Sequence, residues 1–124
     1  MINYREEIIT GMAQAIRENY PDVLFEDKQT TSNPPRFPYC VCTQTSNTVI
    51  DRHSTFNNLE NAVAESYTLT VYDYDDDTVT DIQNIANDYM LERGFRRSMY
   101  QPVPNFDDMT INRTVAGWKN AALV

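Results

Sequence analysis

Residues 67–77 read Tyr67-Thr68-Leu69-Thr70-Val71-Tyr72-Asp73-Tyr74-Asp75-Asp76-Asp77, an alternating segment that runs directly into a cluster of acids. Tyr67, Leu69 and Val71 fall on one side of an extended chain and Thr68, Thr70 and Tyr72 on the other, the period-two pattern of a strand with one apolar and one semi-polar face. The acids end the strand. Beyond them Val79, Ile82, Ile85, Ala86, Tyr89 and Met90 recur at helical spacing, which predicts an amphipathic helix over 78–93 with Thr78 as N-cap, Asp81 at the capping-box position and Gly94 as the stop. Strand, turn and helix form one packing unit, because the helix can fold back over the apolar face of the strand.

The flanking sequence extends this unit in both directions. Residues 4–18 place Tyr4, Ile8, Met12, Ala15 and Ile16 on one stripe, an N-terminal helix with Asn3 as its cap and Pro21 beyond its end. Residues 23–28 form a short strand and 30–35 a polar, proline-bearing loop. In the next strand, 37–45, Tyr39, Val41 and Thr43 share one face and Cys40, Cys42 and Gln44 the other, with Pro38 near its start. Residues 46–60 have no stable period and read as a long loop or exposed hairpin. After Gly94, residues 95–101 form a return strand closed by Pro102 and Pro104. The alternation of Met109, Ile111, Arg113 and Val115 marks a last strand that pairs with it as a hairpin. The expected fold is α+β in the order α-β-β-β-α-β-β: a mixed, mainly antiparallel sheet of five strands with both helices on one face.

A chain of 124 residues is one domain, able to bury roughly 65% of its unfolded surface around a single core. With 41% hydrophobic and 23% charged residues its composition is that of a globular protein. No apolar run is long enough to span a membrane and no apolar leader opens the chain, so the expected setting is the cytoplasm. A formal charge of −8 argues against gripping nucleic acid through its phosphates, which takes clustered Lys and Arg. Cys40 and Cys42, at i and i+2 of one strand, have neither redox nor zinc spacing and read as small core residues.

Asp73, Asp75 and Asp77 alternate like the opening of a calcium loop, yet its sixth position is Thr78 in place of Gly and its twelfth Asn84 in place of Glu. A divalent-metal enzyme site lacks a neighbouring Lys, Arg or His to hold a phosphate or move a proton. The ordinary reading is a solvated turn that favours the helix N-terminus. His53, the one histidine, falls in the 46–60 loop with no partner specified. Arg96 and Arg97 follow the helix end, facing solvent or the acids. Arg113, in phase with Ile111 and Val115, sits at a strand end or reaches a carboxylate across a subunit boundary. Trp118 is either local core or a contact anchor. Ile50, Arg52, Phe56 and Leu59 are the anchors of the long loop, too few to order it alone. These eight residues, from Ile50 to Trp118, are the candidate subunit or tube contacts; no catalytic, cofactor or metal residues are assigned.

In its starting helix, the strand Tyr67 to Asp73, the helix running into Gly94-Phe95-Arg96-Arg97 and the closing Ile111-Asn112-Arg113-Thr114-Val115, the chain resembles the small tail-terminator and tail-completion proteins of long-tailed bacteriophages. The resemblance covers nearly the whole chain. It implies a ring, a hexamer, that sits on the finished tail tube, ends its polymerisation and offers the surface to which the head docks. It further implies no enzyme activity and no cofactor, with the protein itself, the tail tube protein and a head-tail connector as partners. DNA then passes through without specific binding, and the protein is assembled in the host cytoplasm and resides in the virion tail. Other neck, connector or minor capsid proteins share this layout, and a metal-dependent enzyme using Asp73 to Asp77 is the alternative from another class.

Overall fold

The computed structural model describes residues 4–27, 37–49, 62–104 and 110–123. In chain order these form α1 (Arg5–Arg17), β1 (Leu24–Glu26), β2 (Tyr39–Val49), β3 (Ala62–Asp73), α2 (Asp76–Glu92), β4 (Arg96–Pro102) and β5 (Asn112–Leu123). The sheet order is β1-β2-β3-β5-β4. Only β1 runs parallel to its neighbour, β2; every other pair is antiparallel. The fold is the expected α+β arrangement.

Register explains the two faces. Rows Cys40–Val71–Thr114, Cys42–Leu69–Ala116 and Gln44–Tyr67–Trp118 cross β2, β3 and β5, and their apolar members form one cluster with Ile8, Met12 and Ile16 of α1 and Val79, Ile82, Ala86 and Met90 of α2. Both helices therefore cover the same face. Full burial of each large aliphatic side chain there contributes about 1.5–3 kcal/mol. The opposite face holds a smaller cluster, Tyr39, Val41, Tyr72 and Ile111, with Leu24 and Phe37 packed against it. Tyr72, expected on the semi-polar side, is thus fully buried on that side.

The helix stripes are turned slightly from the expected phase. In α1 the buried set is Ile8, Ile9, Met12, Ala13 and Ile16, with Ala15 at the margin. Gly11 lets α2 approach: a Cβ there would meet the Tyr89 hydroxyl, which donates to the Glu7 carbonyl at 3.5 Å. The residue preceding α1 is Tyr4, which has no side-chain cap; the expected cap, Asn3, lies outside the described residues. In α2, Ile85 and Tyr89 are half-buried and Gln83 takes a fully buried place.

The cap of α2 is a correction. Asp75, not Thr78, is the N-cap: its carboxylate accepts from the Asp77 N–H at 3.1 Å and from the Thr78 hydroxyl at 3.1 Å. A carboxylate next to the first-turn N–H groups gains from hydrogen bonding and from the helix dipole together. Asp81, expected in a capping box, instead accepts from the Tyr20 hydroxyl at 2.5 Å. Asp75→Ala is expected to lower stability by about 1 kcal/mol and Thr78→Ala by less, as read from urea unfolding; the reverse order would return the cap to Thr78.

The C-terminal end of α2 closes as the sequence predicts. The Phe95 N–H donates to the Met90 carbonyl at 3.0 Å and the Gly94 N–H to the Leu91 carbonyl at 3.1 Å, a Schellman closure with Gly94 at φ +85° and Phe95 and Met90 both buried.

Three strand boundaries differ from expectation by four residues or more. β2 continues past residue 45 to Val49 across an irregularity between Gln44 and Ser46, and β3 begins at Ala62, five residues before Tyr67. The loop therefore loses residues 46–49 to the sheet, and 50–61 lie outside the described residues. β5 runs to Leu123 instead of ending near 116, because β3 pairs with it along its whole length while β4 pairs with 114–119.

Candidate functional site

β4 ends the sheet on one side, and all seven of its residues are exposed. Its register against β5 puts Arg96 opposite Lys119, Arg97 opposite Trp118, Met99 opposite Gly117 and Tyr100 opposite Ala116. Arg97 and Tyr100 consequently project on the helix side, and Arg96 and Met99 on the other. The Arg97 guanidinium lies 5.9 Å from the Tyr100 ring centroid, so cation and aromatic form one exposed unit. Met99 and Tyr100 are 39% and 40% exposed, large for apolar side chains on a strand that faces solvent along its outer edge.

The electrostatics of this edge run against the rest of the chain. Residues 95–124 carry four cations, Arg96, Arg97, Arg113 and Lys119, against two acids, Asp107 and Asp108, in a protein of net charge −8. Arg96 and Lys119 are placed directly opposite each other, an arrangement that destabilises an isolated sheet. Among the described residues the ion pairs are Arg5–Asp27 at 2.7 Å and Arg93–Glu7 at 3.1 Å. Neither Arg96 nor Arg97 reaches the acids of 73–77.

The remaining candidates separate. Arg113, the second residue of β5, is half-buried with its guanidinium 5.6 Å from the Tyr72 ring; its Nε is buried with no hydrogen-bond partner among the described residues. This is the strand-end position. Trp118 is fully buried between α2 and the sheet, and its Nε1 donates to Asn87 Oδ1 at 3.0 Å. It is core, inside a twelve-residue strand, and not a fringe residue free to anchor a neighbour. Ile50, Arg52, Phe56 and Leu59, together with His53, lie outside the described residues.

The chain matches no protein-family model and no curated protein.

Between α2 and β4 a crevice of 140 Å³ is lined by Thr80, Gln83, Asn84, Asn87, Arg97 and Tyr100, among others. Gln83 Nε2 donates to Thr114 Oγ1 at 3.0 Å and to the Leu69 carbonyl at 3.3 Å. On the opposite flank, α1 and β1 form a wider groove of 560 Å³ lined by Ile9, Ala13 and Phe25 together with Arg17, Glu26 and Asp27. The two flanks thus differ in charge as well as in shape.

Glu65 was missed by a reading that started the strand at Tyr67. It is 1% exposed and accepts from the Tyr4 N–H at 3.0 Å, Gln44 Nε2 at 3.2 Å, Asn47 Nδ2 at 3.5 Å and the Tyr67 hydroxyl at 3.3 Å. Its signal was present, since Glu65 continues the alternation of Tyr67, Leu69 and Val71. Burial, with the Glu65 charge beside it, pushes the Tyr67 hydroxyl well above its usual range.

Among the described residues no three His, Cys, Asp or Glu side chains stand together as cation ligands. The Tyr20 hydroxyl is raised to about 12 by its hydrogen bond to Asp81, so that side chain is neutral at ordinary pH. Cys40 and Cys42 are buried and free; burial raises both thiols, Cys42 to about 12, which leaves almost no reactive thiolate near pH 7. Among the described residues no helix is long and apolar enough to cross a membrane.

Proposed function

We propose that this chain is a structural subunit of a ring that caps the tail tube of a long-tailed bacteriophage, ends its polymerisation and provides the surface for head docking. One observation carries the assembly part of the reading: the exposed, cationic β4 edge of an acidic protein, bearing Met99 and Tyr100 beside Arg96 and Arg97. An open strand edge is a template for another chain, and natural proteins usually protect it unless it is used. A surface of one sign on a protein of the other sign favours contact between different faces of identical copies, the head-to-tail geometry that closes into rings. The resemblance of the layout to tail-terminator and tail-completion proteins supplies the tube and the head as the ring's neighbours. A strongly acidic subunit also suits a DNA conduit, because like charge keeps phosphates from sticking.

Light scattering across a concentration series tests the reading. The expected result is one discrete particle, a hexamer, that stops growing as concentration rises and that binds purified tail tubes. A protein that stays monomeric both alone and with tubes would overturn it. Binding to the portal complex in place of tubes would transfer the chain to the neck or connector proteins.

A further inference from the structure

We propose that the hollow at the start of β4, lined by Arg96 and Lys119, takes the acidic turn at residues 73–77 of the next copy, through Asp76 and Asp77. This inference rests on the ring reading and names a contact that joins its subunits.

The hollow measures 370 Å³ and is lined by Ser66, Arg96, Lys119, Asn120 and Glu65, among others. It lies where β4 begins opposite Lys119 and leaves the rest of β5, to Leu123, without a strand on that side among the described residues. Ser66, Lys119 and Arg96 form one row across β3, β5 and β4. That row is on the sheet face away from the helices, because Tyr67 and Trp118, next along their strands, pack in the helix-side core. Both cations are exposed, and the two ion pairs among the described residues involve neither. Like charges set directly opposite repel, and an anion between them turns that repulsion into attraction. Glu65 does not fill the place: its carboxylate is held on the helix side by the Tyr4 N–H, Gln44, Asn47 and the Tyr67 hydroxyl.

Phosphate and carboxylate both answer to this chemistry, and the charge of the chain selects the carboxylate. Two cations on a protein of net charge −8 are too few to hold a nucleic-acid backbone, whereas a second copy brings acids of its own. Asp75, Asp76 and Asp77 are consecutive and exposed. Asp75 is engaged as the cap of α2, but Asp76 and Asp77 make no ion pair. Arg113 lines a hollow with Asp76, yet its guanidinium lies over the Tyr72 ring and pairs with neither acid. Exposed ion pairs are individually weak, so the contact needs an apolar partner as well. Tyr74, 56% exposed beside the acids, and Met99, 39% exposed on the Arg96 side of the sheet, supply it.

Hollow and turn lie at opposite ends of one strand. Ser66 is near the start of β3 and Asp73 is its last residue, about 23 Å away at the rise of a strand. The contact therefore joins two different surfaces, and copies add head to tail until the rotation between them closes.

Charge reversal on each side, read on the full chain, tests the contact. Arg96→Glu with Lys119→Glu, and separately Asp76→Lys with Asp77→Lys, are each expected to weaken self-association roughly tenfold or more by light scattering. An equimolar mixture of the two variants is expected to regain the particle, because each altered hollow then meets an altered turn and each native hollow a native turn. The wild-type particle is expected to loosen as salt rises. Melting curves check the fold of both variants; where the lysine pair unfolds the helix start, Asp76→Asn with Asp77→Asn and the salt series carry the test. A particle that ignores the reversals and the salt, or a mixture that stays apart, overturns the contact while leaving the ring reading intact. A short DNA duplex that binds the wild-type chain and not Arg96→Glu with Lys119→Glu, with the particle unchanged, gives the hollow to phosphate and also overturns it. A wild-type chain that forms no particle, alone or with tail tubes, overturns both.

Discussion

Trp118→Ala is expected to lower unfolding stability by about 3–5 kcal/mol, the range for removing a large aromatic from a packed interior. Trp118 has no exposed surface and is one of the largest buried side chains in the protein. It stands in the row Gln44–Tyr67–Trp118, where the sheet meets α2, so its loss opens a void that neither layer can close alone. The Nε1 bond to Asn87 is a smaller part of the effect: Asn87→Ala is expected to cost about 1 kcal/mol. At roughly 3–5 °C per kcal/mol for a domain of this size, the melting temperature of Trp118→Ala falls by about 10 °C or more. Urea unfolding with tryptophan-free detection by circular dichroism checks the value. A loss below about 1 kcal/mol would mean that β5 is out of phase and that Trp118 faces outward.

Glu65→Ala is expected to cost about 2–4 kcal/mol, since it leaves several donors that now converge on one carboxylate without their acceptor. The Tyr67 hydroxyl is the most affected, because its ring is fully buried and cannot turn to water. Tyr4 N–H, just before the first turn of α1, loses its partner as well, and the helix loses an anion at its positive end. The α1 amides should therefore exchange faster in Glu65→Ala than those of α2, a polarity that a general loss of stability would not produce. Glu65→Gln keeps the shape and an acceptor oxygen and is expected to cost about half as much. A neutral Glu65→Ala variant with unchanged α1 exchange would show that solvent already satisfies these donors.

Much of the site was legible only in part for a specific reason. Arg96 and Arg97 were visible as cations after a helix stop, but the importance of the edge depends on β5 passing between β3 and β4 and leaving β4 outermost. That is a long-range choice. The α1–β1 groove joins residues from separate segments, and its end is tied by the Arg5–Asp27 bond from α1 to the residue after β1. No local pattern encodes that approach. Gln83 escaped because a polar residue inside a helical stripe reads as solvent-facing until Thr114 is brought beneath it.

By itself the sequence determined the elements and their order, the face shared by Cys40, Cys42, Leu69 and Val71, and the closure of α2 at Gly94. These follow from alternation, helical period and the positive φ that glycine accepts most easily, all of which act over a few residues. The tertiary structure alone decided where β2 and β5 end and where β3 begins, which of the adjacent residues Asp75 to Thr78 caps α2, and that Trp118 and Glu65 are interior. Strand length depends on a partner's backbone: β5 extends to Leu123 because β3 pairs with it along its whole length. The cap depends on where the chain leaves the sheet, which brings Asp75 to the first-turn amides ahead of Thr78. Burial of an acid depends on donors from separate segments arriving together, here α1, β2 and β3 around Glu65, and that meeting is a property of the packed layers.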